Sequence, residues 1–320
     1  DRIDELTLMN ATKIFWFCAL LFGMMPLRAQ EPGVGQPAPP VKKETFLLNV
    51  VDRDQYESAV VQRNNNDQPM PYPYVEESDV LWSKSVWEVI DLDERINAAL
   101  YYPTDTLNIE SYRRSLFDVL IANIKNGRIK SVYADTYFKE KRTYSELQAS
   151  LQRVDTTDAG IAQFNAGDRV SEEYIDRRAI GAADIEQYLI YGTWYFDKRM
   201  GELKYRLLAM APVAPDVNFI DDESVDPDEN LVPLFWVWYP SVRKVMEEAK
   251  VYNPGNEFRP ISFDALLNAR RFNSIIVKEG NVFDNRAIKD YIKDNALFQL
   301  LESNRIKEAI RDKEQDMWNY

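Results

Sequence analysis

Residues 188–212 read YLIYGTWYFDKRMGELKYRLLAMAP, two stretches rich in Tyr, Trp, Phe and Leu parted at Lys198-Arg199-Met200-Gly201. Aromatic and aliphatic residues fit a pleated surface, and a short break ending in glycine lets the chain reverse, so the segment predicts a β-hairpin. Upstream, Tyr112, Leu116, Leu120 and Ile124 recur at helical spacing, with Ser111 in the capping position and Gly127 as the stop. Residues 129–133 then read as a short strand, and Leu234-Phe235-Trp236-Val237-Trp238-Tyr239 as a buried one. Downstream, Ile288, Tyr291, Ile292, Leu297, Leu300 and Leu301 fall on roughly one helical face that continues to Ile306 and Ile310, so the chain is expected to end in helix. Mixed short strands and helices without regular βαβ alternation favour an α+β fold over a doubly wound sheet.

The compact body is expected to span residues 79–320. Ahead of it, residues 30–40 carry Pro32, Pro37, Pro39 and Pro40 with Gly33 and Gly35, a composition that resists helix and strand. Within residues 45–62 the apolar pieces Phe46-Leu47-Leu48 and Ala59-Val60-Val61 suffice for a short docking element. Asn64-Asn65-Asn66 and then Pro69, Pro71 and Pro73 exclude regular structure before the body. Residues 30–78 therefore read as an extended arm that wraps the body or reaches a neighbouring subunit, and such arms commonly order on a partner. A terminus without a role is the plainer reading.

Pro103 and Pro254, Ser111-Tyr112 and Ser262-Phe263, Leu116 and Leu267, and Ile124 and Ile275 share an offset of 151. The recurrence raises internal duplication, with halves at 79–214 and 231–320. Helix-forming apolar patterns also match by chance, and chance is the preferred reading. Residues 215–230 join the halves and hold seven acidic residues and no basic ones. A calcium loop of the helix-loop-helix kind requires a glycine and ordered Asp/Asn spacing that are missing here, so a solvated acidic loop is preferred.

At the N-terminus Lys13 precedes an apolar stretch, residues 14–25, followed by Pro26, Leu27, Arg28 and Ala29. Twelve apolar residues are too few to span a bilayer, which needs about 20. They suit a signal peptide ending at a small residue, with cleavage expected after Ala29 and residues 1–8 an extension upstream of Met9. A lipoprotein acylated at Cys18 is the alternative. Phe15-Trp16-Phe17 are bulky where an acylation signal requires small residues, and Cys18 lies in mid-stretch, so the exported chain is expected to be unacylated.

The net charge is −13, and removing residues 1–29 takes away three basic and three acidic residues, leaving the balance unchanged. Such an acidic chain lacks the concentrated basic surface that binding a phosphate backbone requires, which excludes nucleic acid as a partner. Beyond Cys18 there is no cysteine, and the chain has no histidine, so disulfides, thiol nucleophiles and imidazole catalysis are unavailable. Packing must hold the fold, and a chain of this length buries roughly 75% of its unfolded surface.

The eleven glycines form no nucleophile elbow, phosphate loop or dinucleotide fingerprint. A zinc site would have carboxylates alone, which is uncommon. Paired carboxylates of the glycosidase kind are available to any chain this acidic. Asp91 with Asp93, or Asp197 near Trp194, would be arbitrary choices that a solvated acidic face explains more simply. No catalytic, cofactor-binding or metal-ligating residue is therefore named, and no cofactor and no enzymatic activity are expected. The aromatic residues suit core packing first, and a protein interface or sugar-stacking platform second. The competing function on these grounds is a periplasmic carboxylate-dependent glycoside hydrolase or a glycan-binding protein.

Tyr72-Pro73-Tyr74-Val75, Asp79-Val80-Leu81-Trp82-Ser83-Lys84 with Val86-Trp87 and Ile90-Asp91-Leu92, and Tyr101-Tyr102-Pro103 resemble the opening of GldN/PorN proteins. Trp194-Tyr195-Phe196-Asp197-Lys198-Arg199 is similar to their central signature. Leu234-Phe235-Trp236 with Tyr239-Pro240, then Ile306-Lys307 to Ile310-Arg311 and Asp316-Met317-Trp318, extend the likeness over residues 70–320. The resemblance implies a periplasmic structural component of the gliding-motility and type IX secretion machinery of Bacteroidetes. It implies a ring-like assembly with a GldK/PorK-type outer-membrane lipoprotein, self-association in that ring, and a GldM/PorM-like component as a further partner. A ring requires heterologous contacts, in which one face of a subunit meets a different face of the next. The arm at 30–78 is expected to contribute to such a contact or to the lipoprotein.

Overall fold

The structure, a computed structural model, describes residues 71–105, 113–219, 230–253, 260–293 and 295–318. The leader at 1–29, the arm as far as residue 70, Ser111, Tyr112, Pro254 and most of the acidic connector lie outside the described residues. The strands are β1 (Val80–Asp91), β2 (Val132–Tyr133), β3 (Lys141–Arg142), β4 (Gln152–Thr156), β5 (Ile175–Ala179), β6 (Gln187–Asp197), β7 (Glu202–Pro215), β8 (Leu231–Pro233), β9 (Trp236–Trp238), β10 (Lys250–Val251), β11 (Ile261–Ser262) and β12 (Ile275–Glu279). The α-helices are α1 (Ala98–Tyr101), α2 (Leu116–Lys125), α3 (Tyr144–Leu151), α4 (Asp158–Asn165), α5 (Tyr239–Glu248), α6 (Phe263–Asn268), α7 (Ile288–Tyr291) and α8 (Ala296–Trp318).

The predicted hairpin forms and is the centre of the sheet. β6 and β7 pair antiparallel from Gln187 opposite Val213 to Asp197 opposite Glu202. Residues 198–201 reverse the chain, with Gly201 at φ +65°, a left-handed backbone that a side chain would strain. Asp197 completes the turn: its Oδ1 accepts hydrogen bonds from the backbone N–H groups of Arg199 at 3.0 Å and Met200 at 3.3 Å. β1 pairs along the other edge of β6, and β12 pairs outside β1. The antiparallel order is β12-β1-β6-β7-β9-β2-β3, with β8 paired to the end of β7. Strands from before and after the acidic connector thus share one sheet. Two small hairpin-like pairs, β4 with β5 and β10 with β11, stand apart from it.

Helices cover one face of this sheet. Ile90, Tyr188, Ile190, Leu207 and Met210 are buried in one cluster with Leu120 of α2, Val242 and Met246 of α5, and Leu267 of α6. Each such side chain contributes roughly 1.5–3 kcal/mol by leaving water. The opposite face is aromatic: Trp87 and Tyr191 stack with centroids 4.5 Å apart, in a cluster that includes Leu208 and Trp236. The architecture is α+β, as the pattern predicts, although β1, β6 and β7 are long rather than short.

Four local expectations change. α2 begins at Leu116, and Ser115 rather than Ser111 caps it, accepting the Asp118 N–H at 3.1 Å. Of residues 129–133 only Val132 and Tyr133 are strand, because they alone pair with β3 and β9. In the run 234–239 only Trp236–Trp238 is strand. Tyr239 already belongs to α5, whose first turn contains Pro240, a residue that suits a helix start because its missing N–H has no partner there. The C-terminal stripe is two helices, α7 and α8, and its members part company. Ser303, Ile306 and Ile310 face inward, whereas Leu297 and Leu301 are 64% and 52% exposed. At about 100° per residue, Leu297 and Leu301 lie more than a quarter turn away from Ser303 and Ile310 on the helix surface.

Candidate functional site

Charges embedded in apolar runs mark where the interior carries chemistry. Arg206 precedes Leu207 and Leu208, Arg243 follows Val242, and Glu88 lies between Trp87 and Val89. No sequence motif singles them out, but an isolated charge in an apolar stretch must find a partner when buried.

The first cluster fastens residues 72–75 to the body. Arg243 on α5 forms a bidentate ion pair with Asp264 on α6, at 3.0 Å from Nε and 2.8 Å from Nη2. The Tyr239 hydroxyl and the Asn268 amide also donate to Asp264 Oδ1, at 2.9 and 2.8 Å. Burial alone would lower the Arg243 pKa, but the hydrogen bonds and charge of Asp264 leave it above its ordinary value. Tyr72 stacks under this pair, 4.0 Å from the Arg243 guanidinium, and donates to Asn268 Oδ1 at 3.0 Å. Arg206 donates to the carbonyl oxygen of Pro73 at 2.7 Å and to the Tyr195 hydroxyl at 3.1 Å. Val75 packs on Tyr195, and Arg199 reaches the Tyr74 carbonyl. The end of the arm is therefore a strap secured by two buried arginines.

The second cluster ties β1 to the segment between α6 and β12. Glu88 is buried; it accepts from Arg270 Nη2 at 2.6 Å and from the Ser274 hydroxyl. Arg270 also lies 4.2 Å over the Tyr205 ring. Tyr205 in turn occupies the space that a side chain at position 192 would need, since a Cβ on Gly192 would collide with the Tyr205 ring and come within 2.7 Å of the Arg206 carbonyl oxygen. Lys307 of α8 donates to the Ser274 carbonyl, and burial lowers its pKa. A cavity of about 370 Å³ separates this cluster from Ile310 and Arg311.

The third feature is an apolar groove of about 620 Å³ where β12 meets α7 and α8. Trp87, Leu189, Trp236 and Val277 line it from the sheet, and Ala296 and Leu300 from α8. The outer edge of β12 is capped rather than open: the Ser303 hydroxyl accepts the Ile276 N–H at 2.8 Å, and Lys278 bridges to Ala287. Such capping blocks strand addition at that edge.

The carboxylates considered from sequence have local tasks. Asp91 Oδ1 accepts the Asp93 N–H at 3.0 Å, and Asp197 builds the hairpin turn. Among the described residues no group of three or more His, Cys, Asp or Glu side chains converges. Trp236 and Phe235 are buried in the core, as the strand reading implied.

Fold and site together define an α+β protein whose buried charges hold its own chain in place and whose exposed chemistry includes an apolar groove beside its C-terminal helix. The chain belongs to the GldN family: the family model described as gliding motility associated protein GldN matches residues 75–319. A search of curated proteins found no match. Among the described residues no helix is long and apolar enough to cross a membrane.

Proposed function

We propose that this chain is a periplasmic structural component of the type IX secretion and gliding-motility machinery, forming a ring-like assembly with a GldK/PorK-type outer-membrane lipoprotein. The observation that carries the reading is the family match across residues 75–319. The protein acts by surfaces rather than by turnover, and it reaches the outer membrane through its lipoprotein partner. Copies associate with one another around the ring, and a GldM/PorM-like component contacts the same assembly. The arm contributes to a contact with the next copy or with the lipoprotein. Because residues 72–75 are tied into the body by Arg206 and Arg243, the contact falls to arm residues before 72.

Affinity purification of the tagged full chain from its own cells tests this. Recovery in a high-mass particle with a stoichiometric lipoprotein is the expected result. A solitary monomer that binds or hydrolyses glycans would replace the reading with the glycosidase or glycan-binding alternative. Deleting residues 30–70 is expected to weaken assembly, and an unchanged particle would remove the arm from it.

A further inference from the structure

We propose that the apolar groove beside the start of α8 is filled by residues 46–51 of the same polypeptide. The first two turns of α8 carry Leu297, Phe298, Leu300 and Leu301, all more than 40% exposed, next to the groove floor of Trp87, Leu189, Trp236 and Val277. Contiguous exposed apolar surface of this kind marks an interaction site.

Charge selects the occupant. Among the described lining residues Lys278 and Lys289 are the charged side chains and no carboxylate joins them, in a chain of net charge −13. Residues 46–51 are Phe-Leu-Leu-Asn-Val-Val, followed by Asp52-Arg53-Asp54, two carboxylates against one guanidinium. An apolar run with a net negative flank at its C-terminal end matches an apolar floor with lysines beside it.

Reach favours the same copy over a second one. Residue 72 is already seated on the body, and a tether of the 20 residues 52–71 separates it from the segment. Fully extended, such a tether spans roughly 65 Å, well beyond the radius of gyration of roughly 18 Å expected for a domain of this size. A segment held on so short a tether has an effective concentration in the roughly millimolar range, which a separate copy does not reach at ordinary protein concentrations. The inference concerns the isolated chain and goes beyond the assembly reading.

The chain's single cysteine is Cys18, so a disulfide can report the contact. In full-length protein carrying Cys18→Ser, the pair Leu48→Cys with Leu300→Cys is oxidised mildly and read by non-reducing gel and peptide mass spectrometry. Asn65→Cys with Leu300→Cys serves as the control on the same tether. The expected result is a monomeric disulfide forming about tenfold faster in the Leu48→Cys pair than in the control pair, as a docked segment raises local concentration over a merely tethered one. Asp52→Lys with Asp54→Lys is expected to slow it. Equal rates for the two pairs, or a disulfide-linked dimer, would overturn the proposal, and because no partner is present neither result bears on ring assembly.

Discussion

The guanidinium of Arg243 lies 4.0 Å from the centre of the Tyr72 ring, so a residue from the arm completes the surroundings of a buried ion pair in the body. Tyr72→Phe, which removes the hydrogen bond to Asn268, should cost about 1 kcal/mol. Tyr72→Ala also loses the cation–π contact and ring packing and should cost about 2–4 kcal/mol. Urea denaturation of the full chain measures both. Equal, negligible losses would mean that the strap does not bear on stability.

The pair that Tyr72 covers is the more sensitive element. Asp264 is the acceptor for Arg243, Tyr239 and Asn268 at once. Asp264→Ala leaves a buried guanidinium and a buried hydroxyl without their partner, and a loss of about 3–5 kcal/mol is expected. Replacing both ends, Asp264→Leu with Arg243→Met, removes the charges together and should cost less than Asp264→Ala alone. A shift in the urea midpoint at constant slope is the readout. A double variant less stable than the single one would refute this view of the pair.

Gly192 is required by close approach. Gly192→Ala places a methyl group against Tyr205, and overpacking of this kind costs about 1–3 kcal/mol. Tyr205→Leu should recover part of that loss, but the Arg206 carbonyl oxygen, 2.7 Å from the added carbon, remains in the way. Thermal unfolding of the single and double variants tests this. A fully wild-type Gly192→Ala protein would show that the strands yield freely at this point.

The parts of the fold legible in sequence are those set by local chemistry. The β6–β7 hairpin is legible because its apolar runs and its Gly201 turn agree, and α2 because its apolar stripe ends at Gly127. Tyr239 reads as strand because an unbroken apolar run does not distinguish strand from helix, although Pro240 marks a helix start. The inward face of α8 is legible in Ile306 and Ile310 but not as a whole, because Leu297 and Leu301 mimic core spacing while Ser303, a polar residue, faces inward. Long β1 gives a weak signal, since Ser83-Lys84-Ser85 interrupts its alternation. The clusters of Arg206, Arg243 and Asp264, and of Glu88 and Arg270, unite residues up to 182 positions apart, a pairing that no local pattern encodes.

The pH dependence of stability should follow tyrosine. With no histidine, the chain has no side chain whose ordinary pKa falls between about 6 and 8, so stability should be nearly flat through neutrality. Burial holds the hydroxyl pKa values of Tyr188 and Tyr239 well above the ordinary 10, reinforced by the charges of Asp118 and Asp264 respectively. In the unfolded chain both ionise near 10. Above that pH the unfolded state binds fewer protons than the folded one, so stability is full below about 10 and is lost progressively as pH rises towards the folded values. Urea unfolding at half-unit steps from pH 7 to 11.5, followed in parallel by tyrosinate absorbance, checks the sign. The expected result is a plateau, then a decline in which part of the absorbance appears only as the chain unfolds. Complete tyrosinate absorbance while the fold is intact would show that Tyr188 and Tyr239 are reachable by hydroxide in the native state, and the buried positions assigned to them would be wrong.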